Sequence, residues 1–187
     1  MDDDEITRDA FSAARGDVAA ATRFVSGTQR QLHSLLRYLS AAGVAEDLVQ
    51  ETYLRAFAAL PGYQGRSPAR VWLFSIAKRV AADHLRRQDR RPRMKLSDEW
   101  ASLAEHAGAT EPDHGRIVVL RQLITALDTE RREAFVLTQL LGLSYVETAE
   151  ICGCAVGTIR SRIFRARQDL AGALAAGPPP RWAVSNG

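Results

Sequence analysis

Apolar residues recur at three- and four-residue steps in every periodic stretch of this chain, and no stretch shows a convincing alternating pattern. That spacing gathers side chains on one face of a helix and would scatter them over both faces of a strand. An all-α fold is predicted. Leu48, Val49, Tyr53, Ala56, Phe57 and Leu60 form one such face, which ends at Pro61-Gly62. A loop with Gly62, Gly65 and Pro68 follows, and then a second face of Trp72, Leu73, Ile76, Ala77, Val80 and His84. The periodicity fades from Arg86 to Ser97. Beyond it, residues 96–115 are poor in large apolar side chains and contain Gly108, Gly115 and Pro112, which predicts a flexible linker. Helical periodicity resumes with Ile117, Leu120, Leu123, Ile124 and Leu127. A further helix carries Phe135, Val136, Leu140 and Leu141, with Thr129 as its expected N-cap and Gly142 at its exit. The expected organisation is two small helical domains, 1–95 and 116–176, joined by the 96–115 linker and followed by a disordered tail, 177–187.

Charge is distributed in blocks along the 187 residues. Residues 66–95 hold 10 Lys/Arg against 2 Asp, residues 96–115 hold 5 acids and no Lys or Arg, and residues 160–169 hold 4 Arg against 1 Asp. Solvated helix faces would account for each block alone. Two basic blocks separated by an acidic one are better explained together by nucleic acid. A hydrophobic fraction of 46% is too high for a disordered chain. No apolar run approaches the roughly 18 residues that a bilayer requires, and the start Asp2-Asp3-Asp4-Glu5 is unlike a signal peptide. A cytoplasmic protein without membrane contact is expected. Cys152 and Cys154, the two cysteines, are too few for a disulfide framework. One residue apart and with no histidine at ligand spacing, they do not make a tetrahedral metal site, so a structural role at a tight turn is expected. No phosphate-cradling glycine loop, nucleophile elbow or H-E-x-x-H is present. Neither an enzyme nor a cofactor is expected.

The strongest local signal runs from Ser144 to Leu170. Ser144 and Glu147 have capping-box spacing, in which each side chain satisfies a backbone N–H left free at a helix start. Ala149, Gly153 and Ile159 then follow at helix-turn-helix spacing: a small residue for close approach, a glycine for the turn and an apolar anchor. The second helix carries Val156, Gly157, Thr158, Arg160, Ser161, Arg162, Arg165 and Arg167. Its first turn can present N–H groups to phosphate while its side chains reach the major groove. The plain alternative is a helical hairpin with a solvated arginine face. In the other basic block, Lys78, Arg79, Asp83, Arg86 and Arg87 share a region with Tyr63, Trp72 and Phe74, which suits single-stranded nucleic acid. Trp72 fits the core by its periodicity, leaving loop residue Tyr63 as the stacking candidate. Asp47, Gln50 and Glu51 lie opposite an apolar stripe, as a solvated helix start near the macrodipole or as a partner surface.

In combination, these segments resemble a bacterial sigma factor of the extracytoplasmic-function group, a branch of the sigma-70 family, from about Asp9 to Leu174. Ala45-Glu46-Asp47-Leu48-Val49-Gln50-Glu51-Thr52-Tyr53-Leu54-Arg55-Ala56 resembles region 2.2, which implies that Asp47, Gln50 and Glu51 meet the β′ coiled coil of RNA polymerase core. Val71-Trp72-Leu73-Phe74-Ser75-Ile76-Ala77, with Asp83-His84-Leu85-Arg86-Arg87, resembles regions 2.3 and 2.4, which open the −10 element and hold its non-template strand. Val156-Gly157-Thr158-Ile159-Arg160-Ser161-Arg162 resembles region 4.2, which reads the −35 duplex, in a domain that also meets the polymerase β flap. Residues 137–162 look most like the sigma-C type. The resemblance further implies a possible anti-sigma partner and a linker that threads the polymerase channel. Two positions depart from the family pattern. Arg79 stands where the family often has an Asn lining the pocket of a flipped −10 base, and Ala155 where it commonly has Pro. The first implies altered base choice and the second less preorganisation of the recognition helix. A stand-alone helix-turn-helix regulator and a helix-turn-helix recombinase are the alternatives.

Overall fold

The computed structural model describes residues 2–41, 43–90 and 112–176, and these form eight α-helices without a strand. Helices α1 (Asp3–Ala14), α2 (Val18–Leu39), α3 (Ala45–Ala59) and α4 (Ala69–Arg90) make the first group. Helices α5 (Pro112–Ala126), α6 (Thr129–Phe135), α7 (Tyr145–Cys152) and α8 (Val156–Ala176) make the second. The acidic start is helical: Asp2 and Glu5 form a reciprocal capping box, and Asp3 and Asp4 fill the first turn, where negative charge opposes the macrodipole.

The core of the first group follows the heptad-like spacing of its sequence. Phe24, Leu32, Leu35 and Leu36 of α2 pack with Leu48 and Ala56 of α3 and with Val71, Leu73, Phe74 and Ala77 of α4. Ile6 and Ala10 of α1 close one side. Between α3 and α4 the chain makes a 3-10 turn at Leu60–Gly62 and a loop that packs on α1. Gly65 sits in that loop at φ +67°, and a Cβ there would meet the Phe11 ring at 2.6 Å, so both conformation and space demand glycine.

Three local expectations shift. Helix α4 continues through Arg86 to Arg90 although the apolar pattern has faded, because Arg and Gln are good helix formers without packing. Helix α5 starts at Pro112, inside the expected linker, since a proline suits a first helical position. The remainder of that linker, 96–111, and the expected tail, 177–187, lie outside the described residues. The N-cap of α6 is Asp128, whose carboxylate accepts from the Arg131 N–H at 3.0 Å, and Thr129 is the first helical residue. An ionised cap one residue earlier also opposes the macrodipole, which a Thr hydroxyl does not. Helix α6 runs on into a wider turn at Val136–Leu140, and Gly142 leaves it at φ +71°.

The two groups touch. Buried Ile124, Leu127, Val136, Leu137 and Ile151 of the second continue the core of the first, and α4 lies along α7. At that junction the Lys78 ammonium stands 3.4 Å from the Glu133 carboxylate and donates to the Cys152 carbonyl at 3.3 Å. Nearby, an Arg132 N–H donates to the Tyr38 carbonyl at 3.4 Å.

Candidate nucleic-acid interface

Helices α7 and α8 form the helix-turn-helix. The Ser144 hydroxyl accepts from the Glu147 N–H at 3.2 Å, and the Glu147 carboxylate accepts from the Ser144 N–H at 2.8 Å. Gly153 ends α7 in the left-handed conformation at φ +65°, which lets the chain reverse within a few residues. Buried Ala134, Ala149, Ile159 and Ile163 form the small core that fixes the angle between the helices. An ion pair of Arg131 on α6 with Asp169 on α8, at 2.7 Å, braces the far end.

With α8 anchored through Ile159, Ile163 and Ala166, its opposite face is set by the 100° turn per residue. Gly157, Arg160, Ser161, Phe164, Arg165 and Arg167 are exposed there. Val156 and Thr158 are half-buried at the helix start, and the first-turn N–H groups precede three exposed arginines. A row of cations along a helix, beginning at a helix N-terminus, is suited to a phosphate backbone and groove edges. Arg162 lies apart from that row. Its side chain is 16% exposed, paired with Glu130, and donates to the Cys154 sulfur at 3.5 Å. It braces the turn in this structure and does not face outward.

On α4, Arg79, Asp83 and Arg86 share one stripe, with exposed Arg87 beside it. The Arg79 Nε donates to the Ser75 carbonyl at 3.1 Å, and its side chain lies along the exposed surface. Asp83 is held below the usual carboxylate range, first by its hydrogen bond from Arg55 and then by that from Arg86. Lys78, one residue and 100° from Arg79, points to α6 and α7 and is occupied at the junction. Tyr63 is 8% exposed, with its ring centroid 5.1 Å from both Phe11 and Trp72, and its hydroxyl donates to the Ser67 carbonyl at 2.6 Å. Burial pushes its phenol above the ordinary value. It offers no free face for a base, and the expectation of stacking on Tyr63 is corrected to a core role.

Helix α3 exposes Asp47 and Gln50 and leaves Glu51 half-buried, opposite buried Leu48, Val49 and Thr52. Leu54, 68% exposed, continues the Asp47–Gln50 line, and partly exposed Phe57 follows it. Leu54 and Phe57 thus place apolar surface beside the polar stripe.

The family model "Sigma-70 region 2" matches residues 24–91, and "Sigma-70, region 4" matches residues 117–170. The "ECF RNA polymerase sigma factor SigC" of Mycobacterium tuberculosis is 45% identical over 172 residues, covering 90% of this chain and 91% of that protein. The "ECF RNA polymerase sigma-E factor" of Escherichia coli K12 is 38% identical over 168 residues, covering 83% and 87%. This chain is an extracytoplasmic-function sigma factor of the sigma-70 family. Among solved structures, CnrH in complex with the cytosolic domain of CnrY superposes with a TM-score of 0.72 at 28% identity, over 95% of this chain and 100% of that one. The Bartonella quintana sigma factor RpoE, solved with the anti-sigma factor NepR, superposes at 0.65 with 26% identity, over 86% and 100%.

In this sigma factor, the region 2 match covers most of α2 with α3 and α4, and the region 4 match covers most of α5 and of α8 with α6 and α7 between them. The structure brings Arg79, Asp83 and Arg86 together and keeps Arg160, Ser161 and Arg165 on one open face. It separates Lys78, Tyr63 and Arg162 from those groups. Sequence reasoning passed over Leu54, Phe164 and Arg55. The first two were detectable as large apolar residues on the polar side of their helices. Phe164 is 63% exposed between Arg160 and Arg167. Among the described residues no cluster of His, Cys, Asp or Glu has the makings of a metal site, and no helix is long and apolar enough to cross a membrane.

Proposed function

We propose that this sigma factor divides promoter recognition between the two exposed basic faces described above. The open arginine row of α8 carries the reading: Arg160, Ser161 and Arg165, with Val156, Gly157 and Thr158 at the helix start, dock in the major groove of the −35 element. Phe164 supplies an apolar contact of the kind that recognises a thymine methyl. Arg79, Arg86 and Arg87 of α4 hold the non-template strand of the −10 element after melting. Asp47, Gln50 and Glu51, extended by Leu54, bind the β′ coiled coil of polymerase core, and the region 4 domain meets the β flap. Lys78 joins the −10 contacts only once the two domains part. The boundaries 1–95, 96–115 and 116–176 are kept as functional units, with α5 starting within the middle one.

The chain chooses the promoter and stabilises its opening, while nucleotidyl transfer belongs to the core enzyme; it works in the cytoplasm. Because the neighbouring RpoE structure holds an anti-sigma factor, a partner of that class is expected here too. A stand-alone regulator would not need the α3 stripe. Run-off transcription with core polymerase over a genomic promoter library tests this directly: discrete, sigma-dependent start sites are expected. In the same assay Arg160→Ala reduces promoter occupancy about tenfold, as loss of one good base or phosphate contact does, and leaves association with core unchanged. Equal loss of both, or a wild-type protein that does not bind core, overturns the reading.

A further inference from the structure

Four side chains link the polymerase stripe to the −10 face. On α3 the Arg55 Nε donates to the Glu51 carboxylate at 2.8 Å, one helical turn back. The other end of the same guanidinium reaches across to α4, where Nη1 donates to one Asp83 oxygen at 2.8 Å. The second Asp83 oxygen accepts from the Arg86 guanidinium at 2.7 Å. Arg55 therefore touches both proposed surfaces while belonging to neither.

The charges explain why such a residue is needed. Asp83 is a carboxylate in the middle of an otherwise cationic stripe, between Arg79 and Arg86. Without Arg55 it would keep only Arg86 as a partner, drawing that guanidinium off strand phosphates, and its second oxygen would be left bare to repel them. Arg55 is suited to prevent both, because a planar guanidinium presents several donors in fixed directions and stays charged at every working pH. Its pairing holds Asp83 ionised and occupied, and the occupied carboxylate in turn fixes Arg86, whose side chain is otherwise 65% exposed. A lysine would supply the charge without the fork.

We propose that Arg55 is a positioning residue for −10 strand capture: it neutralises Asp83 and, through it, orients Arg86, on the same helix that docks the polymerase. This rests on the functional reading given above. Binding of the polymerase to the α3 stripe would hold Glu51, and with it the helix turn from which Arg55 reaches Asp83. Arg55 itself need not touch DNA or polymerase.

The test uses the full chain as holoenzyme with core polymerase. The probe is a fork-junction DNA built on the promoter that wild-type holoenzyme selects from a random library. Arg55→Gln is expected to weaken fork binding about tenfold, with a shallower salt dependence, while affinity for core stays within twofold. Arg55→Lys falls between wild type and Arg55→Gln. The Arg55→Gln, Asp83→Asn double variant recovers to within about threefold of wild type, since removing the half-paired carboxylate removes both the repulsion and its competing hold on Arg86. A residue with only a structural role would not be rescued that way. The proposal is overturned if Arg55→Gln binds the fork as wild type does, or if the double variant binds no better than the single one. Failure of wild-type protein to bind core or to select any promoter instead overturns the sigma reading, which separates the two.

Discussion

Burial strongly alters the chemistry of Cys152. Its thiol is pushed up to about 12, first by desolvation and then by the nearby Glu133 carboxylate. At pH 8 only about one part in ten thousand is then thiolate, the reactive form. In a Cys154→Ser background, native Cys152 is expected to resist iodoacetamide at pH 8 for hours and to react within minutes once unfolded, as followed by intact mass. Rapid labelling of the folded protein would show that the α4–α7 junction opens readily. The expectation that the cysteines serve a turn agrees with this inertness and with the Cys154 sulfur accepting from Arg162. The miss at this scale was Tyr63. Its loop position implied exposure, and nothing local in the sequence announces Phe11, which arrives from α1 to cover one face of the ring.

At the scale of the helix, α8 has two arginine populations that its composition cannot tell apart. Arg160 and Arg165 turn away from Ile159, Ile163 and Ala166, whereas Arg162 falls beside them, as does Arg167, which donates to Gln139 at 2.8 Å. The separation was legible in principle, since the buried positions define the wheel and residue 162 sits on their flank. What the wheel could not supply is Glu130, which comes from α6 and fixes the arginine in place. The capping box and the Gly153 turn were legible for a simpler reason: both are closed by backbone geometry within a few residues. Arg162→Ala is expected to act on stability. Glu130 is largely exposed, so the ion pair contributes little, but the buried arginine stem packs at the turn. A loss of about 1 kcal/mol, or roughly 2–4 °C in Tm, should result, with −35 affinity of the folded protein nearly unchanged. A drop in affinity like that of Arg160→Ala at unchanged Tm would place residue 162 among the DNA contacts.

At the scale of the whole molecule, distance decides. Positions −35 and −10 are about 25 base pairs apart, roughly 85 Å of duplex at about 3.4 Å per pair. Helix α4, with 22 residues, is only about 33 Å long, and α7 packs against it. Under the proposed assignment of the two elements, the packed arrangement is too short to serve both together, and α7 is expected to leave α4 before a promoter is bound, which also frees Lys78. Helix periodicity and the composition of residues 96–115 announced two helical domains. They could not announce that the domains dock, because Lys78 reads as a nucleic-acid contact in a basic block and nothing local marks Glu133 as buried. Glu133 is raised above the ordinary value of 4.5, chiefly by burial and only partly offset by Lys78. The pair is thus an offset cost and no strong bond. A raised carboxyl value in the folded state contributes stability that is fully present below the unfolded value and is lost as pH rises through the folded one. Denaturant midpoints should accordingly fall as pH climbs from about 4.5, and Glu133→Gln should remove that component. Charge reversal tests the junction itself. Lys78→Glu sets two carboxylates against each other and should expand the free protein in small-angle scattering, while Lys78→Glu with Glu133→Lys should restore compactness. An unchanged radius of gyration in Lys78→Glu, or an expansion that the second reversal leaves in place, would show that this pair does not hold the domains together.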